Sequence, residues 1–287
     1  MRASPVLAIL LALLASMLWG ATGLWMHFLT SLSLSSILFF RFVLALVVIV
    51  VVMLVGKKAL RSDKMTLIGG VALFLYYAFA TAAFRLSNMV DVSLIISLTP
   101  AFVLAGEWIK GHPPGLMRLA GAAIAAAGSA FVILTGEHVT SVASDANAWG
   151  LMAAFCAALV MALYSFAGTS RQADASSMNF WTLAFGSVAA LAYLLSNSMA
   201  TQQPFIWPDS SQWSSLAALV VLSTVLAGLS YKMACEHGGA SLPSVIRLST
   251  PLFSALYAVV MLGQPLLAGQ LVGVPLILLG IYLVNRK

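Results

Sequence analysis

Ser97-Leu98-Thr99-Pro100-Ala101-Phe102 sits inside one apolar run, and Leu248-Ser249-Thr250-Pro251-Leu252-Phe253 sits inside another. Both read Thr-Pro-x-Phe. A short break follows each, Gly111-His112-Pro113 and Gly263-Gln264-Pro265. After each break comes an apolar helix with glycines seven apart, Gly121 and Gly128 in the first and Gly273 and Gly280 in the second. Seven residues is nearly two helical turns. Each pair therefore makes a small-residue stripe that another helix can approach closely. The chain contains the same construction twice.

Outward from these stretches, apolar runs bounded by polar or Gly/Pro breaks give ten candidate spans, near 5–28, 35–55, 66–85, 90–109, 116–135, 148–168, 178–198, 214–236, 241–262 and 267–284. The weakest breaks are Ser31–Leu34 and Leu262–Leu266. Two halves result, 5–135 and 148–284, joined by the polar stretch 136–147. Five spans per half is an odd number, so the second half lies inverted relative to the first. Inverted repeats give two pseudo-equivalent states open to opposite sides, which is the architecture of many secondary transporters.

Composition agrees. Of 287 residues, 62% are hydrophobic and 8% charged, with a mean hydropathy of +1.03. A soluble domain is about half apolar and about a quarter charged. Too few charges remain here to coat a globule, and the chain is too apolar for disorder. An all-α, multi-pass integral membrane protein is expected. Arg2 before an apolar stretch with Ala15 and Ser16 imitates a signal peptide, but the run continues past Trp19 to about Phe28, so a retained first span is expected.

The net charge of +6 comes from basic residues in short loops. Lys57, Lys58, Arg61, Lys64, Lys110, Arg118 and Arg171 fall on one side with both chain ends; the other side carries at most Arg85. Positive charge marks the cytoplasmic face, so both termini are expected to be cytoplasmic, with the chain in the cell's inner (plasma) membrane. No basic stripe with interleaved aromatics suggests nucleic acid. Cys156 and Cys235 lie in apolar runs as packing residues, with no metal or disulfide spacing, and no cofactor is expected.

Pro100 and Pro251 each remove a backbone donor and displace the carbonyl four residues earlier, at Ile96 and Arg247. At membrane depth such a carbonyl must be satisfied by protein or by a wet cavity. Because the interruption is duplicated, the cavity reading and a central site are favoured over kinks that merely shape packing.

Further segments complete a pattern: Leu18-Trp19-Gly20, Phe40-Arg41-Phe42 followed by Ala45, and Ala83-Phe84-Arg85. With the two Thr-Pro-x-Phe segments and the two glycine-bearing helices, the chain resembles the EamA-type, ten-helix members of the drug/metabolite transporter superfamily. The resemblance implies a basket-like bundle whose central cavity is lined mainly by spans 1, 3, 4, 6, 8 and 9. It also implies transport, commonly export, of amino acids, related metabolites or toxic compounds. One departure stands out: the family's Gly-Glu before the fifth helix of each half reads Gly111-His112 and Gly263-Gln264 here.

Charges inside spans need a partner, a cavity or a route to the interface. Arg247, one turn before Pro251, could hold a substrate carboxylate bidentately; a structural or snorkelling arginine is the alternative. Trp19, Tyr77, Ser97, Pro100, Tyr164 and Pro251 complete the expected binding set, on the reading that a small-ligand pocket is mostly apolar with a few polar groups. Trp19 and Tyr164 hold comparable places in spans one and six. Arg41, Arg85, Asp91, Glu107, Lys232 and Glu236 are candidates for gating or coupling. Asp91 or Glu107 could carry a coupling proton, although pairing explains Glu107 adequately, and Lys232 and Glu236 are spaced to pair with each other.

The expected function is secondary-active transport, in the export direction, of small metabolites such as amino acids, by alternating access in a monomer or weak dimer. The alternative, a membrane-embedded lipid-modifying enzyme, lacks a clustered nucleophile, base or metal set. A channel would need rings or filters of polar groups, and none is visible.

Overall fold

The computed structural model describes residues 5–29, 31–86, 92, 95–135, 148–172, 174–201, 207–263 and 268–285. They form α1 (Pro5–His27), α2 (Leu34–Val55), α3 (Lys64–Leu86), α4 (Thr99–Ile109), α5 (Leu116–Thr135), α6 (Ala148–Gly168), α7 (Ala175–Thr201), α8 (Ser210–Gly238), α9 (Ser241–Leu262) and α10 (Ala268–Asn285). Seven of these, α1 to α3 and α6 to α9, are long and apolar enough to cross a bilayer. Shorter apolar stretches, Leu116–Phe131 and Val272–Val284, lie in α5 and α10. No strand occurs among the described residues. The protein is an all-helical membrane protein. The span expected at 90–109 is partly outside the described residues, and the stretch 136–147 and Asp91 lie outside them.

Helix starts follow from local side chains. Ser33 caps α2 by accepting from the Ser36 N–H at 3.2 Å, and Ser35-Ser36 occupy the first turn. Asp174 caps α7 in the same way, accepting from the Ser176 and Ser177 N–H groups. Asp63 caps α3 through the N–H groups of Met65 and Thr66. Asp209 caps α8 in a capping box with Gln212. Thus α2 and α7 begin alike, and so do α3 and α8. The Thr66 hydroxyl, helped by the two N–H groups, holds the Asp63 carboxyl below the usual aspartate range against an opposing desolvation.

Glycines set the closest helix contacts. The stripes of α5 and α10 face one another: a Cβ on Gly121 would lie 2.8 Å from the Gly280 carbonyl oxygen, and one on Gly128 2.9 Å from the Gly273 carbonyl oxygen. At such distances the two backbones touch, which only a missing side chain permits. Gly20 brings α1 onto α9 at Thr250 and Phe253, and Gly70 brings α3 onto α7 at Trp181. In the remaining main pairings α1 packs on α8, α3 on α6 and α2 on α7. Trp19, Phe42, Tyr77, Met161, Tyr164 and Tyr231 meet in the largest buried cluster, where α1, α2, α3, α6 and α8 converge.

Candidate functional site

Both Thr-Pro segments lie at breaks. A turn at Ser97–Leu98 precedes α4, and α9 tightens into a 3₁₀ turn at Arg247–Ser249. Pro100 and Pro251 occupy the first turn of the helical segment that follows, where a missing N–H costs little. The Thr99 hydroxyl donates to the Ile96 carbonyl at 2.7 Å, and the Thr250 hydroxyl donates to the Arg247 carbonyl at 2.7 Å. These are the two carbonyls that the prolines displace. The two carbonyls thus have protein partners: each threonine supplies a bond where its following proline removes one, so the carbonyls by themselves do not call for water.

Arg247 leaves the α9 break and reaches the α4 break. Its Nη2 donates to Thr99 Oγ1 at 2.7 Å, and its Nη1 donates to Tyr76 Oη at 3.4 Å. Its guanidinium carbon lies 5.7 Å from the Tyr76 ring centre. Its Nε is buried with no hydrogen-bond partner. Ser97 is half-buried on the turn just before Thr99.

Arg41 of α2 arrives at the neighbouring ring. Its guanidinium carbon stands 4.5 Å over the Tyr77 ring, and its Nε donates to Thr224 Oγ1 at 2.9 Å. Only 7% of Arg41 is exposed. Thr224 belongs to a π-helical segment of α8, Val221–Leu226, and its hydroxyl donates to the Leu219 carbonyl. Such bulges recur at functional positions because they re-aim side chains. Sequence reasoning missed Thr224, since no motif or composition shift marks a π-bulge. Tyr76 and Tyr77 are 5.6 Å apart between ring centres, so each ring of the pair carries one arginine.

The aromatic residues form a continuous group. Trp19 Nε1 donates to Tyr77 Oη at 3.4 Å. Trp19 and Tyr164, expected to hold comparable places, both contact Tyr231, with ring centres 5.2 Å and 6.0 Å away. The buried hydroxyls are satisfied: Tyr164 donates to the Gly228 carbonyl, and Tyr231 bonds Ser165 at 2.8 Å. Of the side chains expected to line a cavity, the aromatic ones, Trp19, Tyr77 and Tyr164, therefore pack into one buried group with Tyr231, while Ser97, Arg247 and Pro251 are half-buried. A surface concavity of about 430 Å³ lies elsewhere, at Ala105, Trp108 and Ile109 of α4, and it contains none of the candidate residues.

The other candidate charges with described side chains, Lys232, Glu236 and Glu107, are paired. Lys232, with a fully buried side chain, donates to Glu236 at 2.8 Å and to the Ser170 carbonyl at 3.1 Å. Glu107 faces Arg118 at 3.8 Å. Asp63, Asp174 and Asp209 cap helices. Every described carboxylate is thus engaged elsewhere, and among the described residues none lies within ion-pair distance of Arg41 or Arg247. The Arg85 side chain and Asp91 fall outside the described residues. The site that remains is cationic, aromatic and hydroxyl-bearing, which suits an organic anion.

The EamA-like transporter family model matches residues 6–134 and again residues 148–286. The chain is 26% identical over 265 residues to an uncharacterized transporter of Archaeoglobus fulgidus, covering 91% of each. It is 25% identical over 210 residues to the aromatic amino acid exporter YddG of Ancylobacter novellus, covering 72% of this chain and 70% of that one. A solved crystal structure superposes with a TM-score of 0.79 at 22% identity, over 99% of this chain and 98% of that one. At that identity the likeness concerns the fold alone.

Proposed function

Because this chain belongs to the EamA-like transporter family, and is a membrane transporter and not an enzyme, we propose that it is a secondary-active exporter of small metabolites. Amino acids and related amphipathic carboxylates are the proposed cargo. The substrate carboxylate is held by Arg247, against walls formed by Trp19, Tyr77 and Tyr164, between the Thr-Pro breaks at Pro100 and Pro251. The observation that carries this reading is the Arg247–Thr99 bond, which joins the break in α9 to the break in α4. Half-helix breaks facing each other are where transporters of inverted repeats bind their cargo.

The proposed architecture is ten spans in two inverted five-helix repeats, 5–135 and 148–284, with both termini cytoplasmic in the inner membrane. Several features support it. The pairing of α1 with α8 mirrors that of α6 with α3, while α2 with α7 and α5 with α10 are each self-matched. The caps repeat as well, Ser33 with Asp174 and Asp63 with Asp209. Rocking one half against the other would expose the site to each side in turn. Lys232 with Glu236, and Arg41, are the proposed gating groups among the described residues.

The test is counterflow of labelled amino acids into preloaded proteoliposomes, with and without a pH gradient. Saturable counterflow that Arg247→Ala abolishes supports the reading. Carboxylate transport left unchanged by Arg247→Ala overturns the assigned site.

A further inference from the structure

We propose that the site selects substrates carrying two acidic groups, one for each arginine of the Arg41–Tyr77–Tyr76–Arg247 row. The inference rests on the transport reading above and deepens it. Arg41 and Arg247 come from α2 and α9 and stand against the adjacent rings of Tyr77 and Tyr76. Their partners are neutral: the Thr224 hydroxyl for Arg41, and the Thr99 and Tyr76 hydroxyls for Arg247. No described carboxylate pairs with either.

The two guanidinium ions, Arg41 buried and Arg247 half-buried, share one cluster and repel each other, and hydroxyl or ring contacts offset only part of the desolvation of Arg41. A neutral amino acid brings one carboxylate and one ammonium, so the cluster keeps its full excess of positive charge. A compound with two carboxylates, acidic amino acids included, neutralises both arginines. The buried, unpartnered Nε of Arg247 leaves a donor for one of them. An α-ammonium, where present, could rest on a tyrosine ring face.

The experiment is counterflow in proteoliposomes preloaded with unlabelled substrate, run with labelled glutamate, succinate, phenylalanine and threonine. Glutamate and succinate are expected to exchange roughly tenfold or more faster, as befits a second charge-assisted contact. Arg41→Gln should bring the ratio of dicarboxylate to neutral amino-acid exchange close to one, whatever it does to the overall rate. Arg41→Lys, which retains the charge, should keep part of the preference. Folding of each variant is checked by its thermal unfolding in detergent, and wild-type protein should be stabilised by millimolar succinate more than by phenylalanine. Exchange of phenylalanine or threonine equal to that of the dicarboxylates, with no response to Arg41→Gln, overturns this inference and leaves the transport reading standing. Failure of every carboxylate to exchange on folded protein overturns both.

Discussion

Arg247 Nη2 donates to Thr99 Oγ1 across 2.7 Å, and the same Thr99 hydroxyl donates onward to the Ile96 carbonyl. One hydroxyl therefore serves two purposes. It satisfies the carbonyl that Pro100 displaces, and it fixes the guanidinium of another helix. Thr99→Val removes both bonds at nearly constant volume. It is expected to cost about 1–3 kcal/mol of stability and to reduce carboxylate counterflow, whereas Thr99→Ser should retain most of both. Counterflow and thermal unfolding measured together separate the two losses.

Trp19 contributes a ring contact to Tyr231 and a donor to Tyr77. Trp19→Phe keeps an aromatic ring and deletes the donor, with an expected cost of about 1 kcal/mol. Trp19→Ala leaves a cavity beside Tyr231 and should cost about 3–5 kcal/mol. Unfolding midpoints of the two variants in one detergent test that order.

At Gly280 a Cβ would lie 2.5 Å from Ala125 Cβ and from the Gly121 carbonyl oxygen. Gly280→Val must push α10 off α5 and is expected to destabilise by about 3 kcal/mol or more. Gly23, where a Cβ would meet nothing within 4 Å, should accept alanine without loss. Equal melting of the two variants would contradict the packing of α5 on α10.

Lys232 is fully buried and depends on Glu236 for its countercharge. Glu236→Gln strands that charge and should cost about 3 kcal/mol. Adding Lys232→Met should recover a substantial part, because the buried ammonium is then gone. A double variant no more stable than Glu236→Gln alone would show that the ion pair contributes nothing specific.

Asp63 gives a pH dependence of known sign. Its carboxyl is held below the usual range by the Thr66 hydroxyl and by N–H groups at the start of α3. A lowered folded pKa means that the stabilisation is present above the ordinary aspartate value, about 3.9, and is lost as pH falls below it through the folded value. Asp63→Ala is expected to cost about 1 kcal/mol at neutral pH. The difference from wild type should shrink steadily on acidification. Unfolding curves at neutral and acid pH check this, and a constant difference would remove the cap from the explanation.

The membrane-protein class, the duplicated Thr-Pro construction and the glycine stripes were all readable from the order of residues. Apolar length, helical spacing and duplication are properties of the linear chain. The pairing of Lys232 with Glu236 was readable for the same reason, since four residues is one helical turn. The repeated cap pattern, Ser35-Ser36 in α2 against Ser176-Ser177 in α7, was also present in the sequence, but two serines stand out as a match only once both are seen in a first helical turn.

Tertiary structure decided which groups meet. Arg41 and Thr224 are 183 residues apart, and Arg247 and Thr99 are 148 apart. Nothing in either local sequence names the other. It also decided that the two glycine stripes face each other, and that a threonine hydroxyl reaches each of the proline carbonyls. The physical reason is that hydropathy fixes where a helix can lie, while side-chain contact depends on how each helix is turned about its axis, and that is set by close packing among all of them at once.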